Sequence, residues 1–160
     1  MRRVLVTGMS GTGKSSALEA LAGRGHRVVE TDVDGWSEWV DGEDAGWFWR
    51  EDRMTELLAS EGDRTLFVSG CVTNQGTFYD GFDAVVLLSA PAEVLLDRVD
   101  SRTTNDYGKT ADARELVLLH LETVEPMLRA TCTHELDASR PLEEVVDALA
   151  GIGVSCALSR

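Results

Sequence analysis

Short apolar runs alternate along this chain with longer stretches in which apolar residues return every three or four positions. The first run, Val4 to Val6, is short, β-branched and followed by glycines, the pattern of a strand buried on both faces. Four more runs predict strands at His26 to Glu30, Thr65 to Ser69, Ala84 to Leu88 and Thr133 to Leu136. Helical spacing predicts helices from Lys14 to about Ala22, Trp47 to Ser60, Pro91 to Arg102, Asp112 to Arg129 and Pro141 to Ala150. Strands separated by helices require right-handed crossovers. The expected fold is therefore α/β: a five-stranded parallel sheet with helices on both faces, in three layers. No internal repeat, biased tract or linker divides residues 1–160, so one domain is expected. Asp32 to Gly46 and Thr103 to Ala111 follow neither period and are expected to be mobile loops serving a site.

Composition narrows the function. A chain of 160 residues buries enough surface for a core without staples, and 43% apolar with 27% charged residues is ordinary globular composition. Its 28 acids and 15 bases leave a net charge of −13, a field that repels polyanions except at a local basic site. Nucleic acid is thus not an expected partner. Cys71, Cys132 and Cys156 are odd in number and widely spaced, unlike a disulfide framework or a zinc cluster, which fits a reducing cytoplasm. The apolar run after Arg2-Arg3 is too short for a signal peptide, and no stretch approaches the roughly 18 apolar residues of a membrane span. The expected partner is a small molecule, and the expected assembly a monomer or homodimer.

Gly8-Met9-Ser10-Gly11-Thr12-Gly13-Lys14-Ser15 is a complete G-x-x-x-x-G-K-S phosphate-binding loop, placed after the first predicted strand and opening the first helix. Its glycines permit the positive φ that turns main-chain N–H groups toward phosphate oxygens, and the helix N-terminus adds partial positive charge. Lys14 is expected on the β- and γ-phosphates, the Ser15 hydroxyl on Mg²⁺, and Ser16 beside them. ATP and Mg²⁺ are the expected cofactors. Downstream, Asp32-Val33-Asp34 sets two carboxylates one residue apart; on extended backbone they would face the same side at the strand's carboxyl end, beside the phosphates. The alternative is that they cap the next helix or are simply solvated.

This D-x-D, with its distance from the loop, resembles shikimate kinase and its relatives. The resemblance implies that Asp32 is the metal-side residue and Asp34 the acceptor ligand and candidate base. Gly46 to Arg53 resembles the aromatic-Arg segment of shikimate kinase and a segment of gluconate kinase, which implies acceptor binding by Trp49 and by Arg50 or Arg53. Leu96 to Arg102 resembles the lid entrance of adenylate kinase, implying that Arg98 packs on adenine and Arg102 touches the transferring phosphate; ion pairs with Asp97 and Asp100 are the alternative. Asp137 to Leu142 resembles the loop after the last strand of adenylate kinases, implying nucleotide contacts from Ser139, Arg140 and Pro141; a helix cap reads equally well. Gly70, Asn74 and Gln75, just beyond the third predicted strand, are placed for the acceptor.

Together these segments resemble the small P-loop kinases of the adenylate, shikimate and gluconate kinase group. An acceptor-binding region at about 33–63 and a lid at about 103–113 follow from the resemblance. It implies transfer of the γ-phosphoryl group of ATP to a small hydroxylated acceptor such as a sugar acid or polyol, with Lys14, Asp34 and Arg102 as the catalytic set. A nucleoside or nucleotide kinase, or a regulatory ATPase, is the alternative. All four tryptophans fall in or beside the acceptor region; Trp36 and Trp39 stand at helical spacing and are expected in the core, the alternative being that the cluster forms a contact surface for a ring or sugar face.

Overall fold

The structure, a computed structural model, describes residues 2–9, 11–100 and 111–154. Five parallel strands form the central sheet: β1 (Arg3–Gly8), β2 (Arg27–Glu30), β5 (Leu66–Ser69), β6 (Ala84–Ser89) and β7 (His134–Asp137), in the spatial order β2-β5-β1-β6-β7. The remaining two strands, β3 (Ser37–Val40) and β4 (Gly46–Trp49), make a separate antiparallel hairpin. The helices are α1 (Lys14–Gly23), α2 (Glu51–Ala59), α3 (Ala92–Asp100), α4 (Ala111–Thr123), α5 (Glu125–Thr131) and α6 (Leu142–Val154), with a 3-10 helix at Gln75–Gly81.

Alternation along the central strands assigns side chains to two cores. Val4, Val6, Val86 and Leu88 face α1 and α6, meeting Leu18, Leu21, Val146 and Leu149. The intervening Leu5, Val85 and Val68 face the opposite layer with Met54 and Leu57 of α2, while Leu87 packs with Leu95 and Leu128. Each such aliphatic side chain contributes roughly 1.5–3 kcal/mol by leaving water. β1 lies between β5 and β6, so its carboxyl end, where the phosphate loop begins, is the switch point from which crossovers leave in both directions.

Three expectations need correction. The predicted helix from Trp47 begins only at Glu51, because Gly46 to Trp49 pair with Ser37 to Val40 and the aromatic residues suit a pleated surface. By the same pairing, the expected loop Asp32 to Gly46 contains a strand. The single helix from Asp112 to Arg129 is two, broken at Val124, since Pro126 lacks the N–H that a continuous helix would use.

Candidate active site

The phosphate loop is shaped by glycine stereochemistry. Gly8, Gly11 and Gly13 hold φ of 149°, 89° and 87°, and a side chain on Gly8 would run into the Leu88 carbonyl oxygen. Thr12 closes the turn, its hydroxyl donating to Met9 O at 2.8 Å. Lys14 Nζ donates to Gly8 O at 2.7 Å and to Met9 O at 3.1 Å, which lays the ammonium along the inside of the loop. The first turn of α1 carries no acid, and its N-cap Gly13 makes no side-chain bond. Its N–H groups and partial positive charge therefore suit phosphate, and this cradle fits a nucleoside triphosphate. Ser15 and Ser16 are exposed on that turn, and the Ser15 hydroxyl with the exposed Asp32 carboxylate offers hard oxygen donors of the kind Mg²⁺ takes. Ser10 lies outside the described residues.

Cys71 lies against the start of the phosphate loop. Its half-buried thiol hydrogen-bonds Thr7 and the Gly8 main chain and feels the charges of both Lys14 and Asp32. Burial pushes the thiol up, Lys14 pulls it down, and burial prevails, so the group is a neutral thiol rather than a nucleophile. Asp32 and Asp34 are exposed, but not on extended backbone as the spacing suggested. β2 ends at Glu30, Thr31 makes the final bonds to Ser69 O through its N–H and hydroxyl, and the chain then turns with φ of 60° at Asp34 and 74° at Gly35. Aspartate tolerates that left-handed conformation better than most residues.

Arg98, on α3, donates to Gly11 O at 3.2 Å and to Ala138 O at 2.6 Å. It ties the phosphate loop to the segment after β7, with its guanidinium given to main-chain carbonyls. In that segment Asp137 accepts from the Ser139 hydroxyl and from the Ser139 N–H, the latter at 2.9 Å, and the two hold its carboxyl below the ordinary range. Arg140 pairs with Glu144 at 3.2 Å across one helical turn, starting from Pro141 at the head of α6. Arg102 and most of the expected lid at 103–113 lie outside the described residues.

On the acceptor side the structure separates supports from exposed groups. Trp49 is 1% exposed, packed edge-on to Phe78 with centroids 5.8 Å apart, so it belongs to the core and not to a substrate surface. Its indole Nε1 is buried without a partner. Gly70 has no room for a side chain, which would strike the Thr31 hydroxyl and the Trp49 ring. Asn74 clamps the Trp49 main chain, accepting from its N–H at 2.8 Å and donating to its carbonyl at 3.1 Å. Gln75 is 3% exposed, donates to Thr7 Oγ1 and Tyr79 OH, and accepts from Val72 N–H. These four residues, placed on the acceptor by sequence, are instead packed or bonded within the protein. Arg53 lies 4.0 Å over the Trp36 ring and donates to Asp34 O at 2.6 Å, while Arg50 pairs with Glu38 at 3.6 Å. Trp39 is 54% exposed, contrary to its expected place in the core, and meets the equally exposed Trp47 edge-on at 5.7 Å. Glu38 and Thr31 were missed from sequence, and nothing in the local pattern of Ser37 to Val40 signals the former.

Residues 4–119 match the AAA domain family AAA_18. The chain belongs to that family. No curated protein sequence matches this AAA domain. Among solved structures, it resembles a gluconokinase from Sinorhizobium meliloti 1021 at 25% identity and TM-score 0.65, covering 94% of this chain and 91% of that one. A shikimate kinase from Acinetobacter baumannii, solved with shikimate, superposes at TM-score 0.68 and 14% identity over 99% and 96% of the two chains. A sugar kinase from Janibacter sp. HTCC2649 gives TM-score 0.60 and 23% identity over 100% and 99%. This AAA domain thus has the fold of the small P-loop kinases. Among its described residues no helix is long and apolar enough to cross a membrane.

Proposed function

We propose that the protein is a cytoplasmic, ATP-dependent phosphotransferase acting on a small hydroxylated acceptor, with neither nucleic acid nor membrane as partner and with a monomer or homodimer as the working form. The observation that carries this reading is the phosphate loop at the carboxyl end of β1, with Lys14 laid along its carbonyls, on the same edge of the parallel sheet as the Asp32–Asp34 turn that follows β2. Phosphate grip and carboxylates thereby share the carboxyl edge of the sheet. Bound ATP with Mg²⁺ supplies the transferable γ-phosphoryl group. Lys14 neutralises charge on the phosphates, Ser15 and Asp32 hold the metal side, and Asp34 orients the acceptor hydroxyl and takes its proton. Arg98 keeps the loop and the β7–α6 segment in register around the nucleotide. The kinase names of the structural relatives support the same chemistry.

The test is ADP release measured across an acceptor panel against a no-acceptor background. Stimulation by at least one hydroxylated acceptor is expected, and EDTA should abolish it while leaving the thermal melt in place. A rate indifferent to every acceptor would favour an ATPase; full activity in excess chelator would remove Mg²⁺ from the scheme.

A further inference from the structure

The segment from Cys71 to Gln75 grips the hairpin with one part and the root of the phosphate loop with the other. Thr73 N–H donates to Trp47 O at 2.9 Å, and the Asn74 amide bonds both main-chain groups of Trp49, so these two residues hold β4. Gln75 turns the other way. Its amide N–H groups go to Thr7 Oγ1 at 3.1 Å and Tyr79 OH at 3.0 Å, and its carbonyl oxygen accepts from Val72 N–H at 2.8 Å. A main-chain N–H can only donate, so the amide carbonyl must face Val72 and both amide N–H groups are left for the two hydroxyls. That fixes the side chain in one orientation.

Thr7 is fully buried and stands directly before Gly8, whose carbonyl accepts from Lys14 Nζ at 2.7 Å. The β1–β5 ladder ends with Gly70 N–H donating to Val6 O at 3.2 Å. Beyond that bond, among the described residues, the link from this side to Thr7 and Gly8 passes through side chains: Gln75 on the Thr7 hydroxyl, and the Cys71 thiol on that hydroxyl and the Gly8 main chain. Glycine torsions give the loop its shape; the Gln75–Thr7 bond fixes where its root lies. Resting on the ATP-binding part of the reading above and not on any acceptor, we propose that Gln75 is a positioning residue for the nucleotide, setting the root of the phosphate loop through the Thr7 hydroxyl. Adjacent amides thereby serve different halves of the site, Asn74 the hairpin and Gln75 the loop.

The experiment measures Mg-ATP affinity by calorimetry and thermal melts on the full chain. Gln75→Met keeps length and bulk without the amide, and Thr7→Val removes the hydroxyl at constant shape. Each should weaken ATP by about threefold to tenfold, up to the worth of one neutral hydrogen bond, because ordering the loop root is shifted from folding to binding. Thr7→Ser, which restores the hydroxyl, should bind within about twofold of the parent. Tyr79→Phe removes the other acceptor of the same amide, and should lower the melt while leaving ATP affinity within about twofold. The double variant Gln75→Met/Thr7→Val should weaken ATP no more than the larger single change, since both delete one bond, whereas independent effects would multiply. If Gln75→Met does not fold, the Thr7→Val and Thr7→Ser pair decides alone. Lower melts with unchanged ATP affinity, an equal loss in Tyr79→Phe, or failure of Thr7→Ser to restore binding would overturn the inference. Failure of the parent chain to bind ATP would overturn both the inference and the reading beneath it; ATP effects as expected with no acceptor stimulating turnover would uphold the inference and sink only the transfer reaction.

Discussion

The phosphate loop and the β3–β4 hairpin are built on opposite terms. The loop is dictated by stereochemistry: three glycines with positive φ, one of them against the Leu88 carbonyl, and a lysine folded along its own main chain. The hairpin is held by side chains from elsewhere, chiefly the Asn74 clamp on Trp49 and the Arg53 stack on Trp36. Constraint is local in the first case and borrowed in the second. Phosphate geometry is invariant and can be met by one loop shape, while an acceptor must be chosen by charge and surface.

The sharpest way to break this division is Asp34→Asn, which keeps a residue tolerant of φ 60° and removes only charge and basicity. Acceptor-dependent turnover should fall by about 10² to 10⁴, while ATP affinity, read by calorimetry, changes less than about tenfold. If both moved together, the two halves would not be separable. Lys14→Ala should cost about 10² to 10³ in rate for every acceptor, with an unchanged melting curve, since the ammonium bonds loop carbonyls and not the core. Asn74→Ala probes the borrowed constraint. Leaving the Trp49 main chain unpaired should destabilise by about 1–3 kcal/mol, and acceptor KM should rise more than ATP KM; equal changes in the two would show that the clamp serves the whole site.

The smallest effect lies away from both halves. Glu135 is held low by Arg129 and Ser89. A carboxyl with a depressed folded value stabilises above the unfolded value, about 4.3, and loses that contribution as pH falls through the folded one. Glu135→Gln should therefore cost at most about 1 kcal/mol at neutral pH, because the pair is part-exposed and screened. Denaturant melts should show the difference from the parent chain shrinking as pH falls below about 4.3 and vanishing once the folded value is passed.

The same contrast explains what could be read without coordinates. β1, β5 and β6 are apolar runs buried on both faces, and the glycine-lysine spacing of residues 8–15 permits one local shape, so sheet and loop were legible. Trp36 does pack against the core around Trp49 and Met54 as expected, but Trp39 and the aromatic run Trp47 to Trp49 pointed the wrong way because their cross-strand partners, Trp39 with Trp47 and Ser37 with Trp49, are eight and twelve residues distant. Asn74 and Gln75 have the chemistry of ligands, and only the folded chain shows those amides meeting Trp49, Thr7 and Val72 instead. Trp49 likewise reads as a surface aromatic until Phe78 and Phe82 arrive from the next segment.

β3 and β4 pair with each other and belong to a sheet separate from the five-stranded one. Substitutions on the outer face of that hairpin therefore leave the register of β1 and β5 untouched, and with it the phosphate loop. The hairpin is thus an exchangeable fitting, whose surface can be rewritten while the sheet and the loop it carries keep their shape.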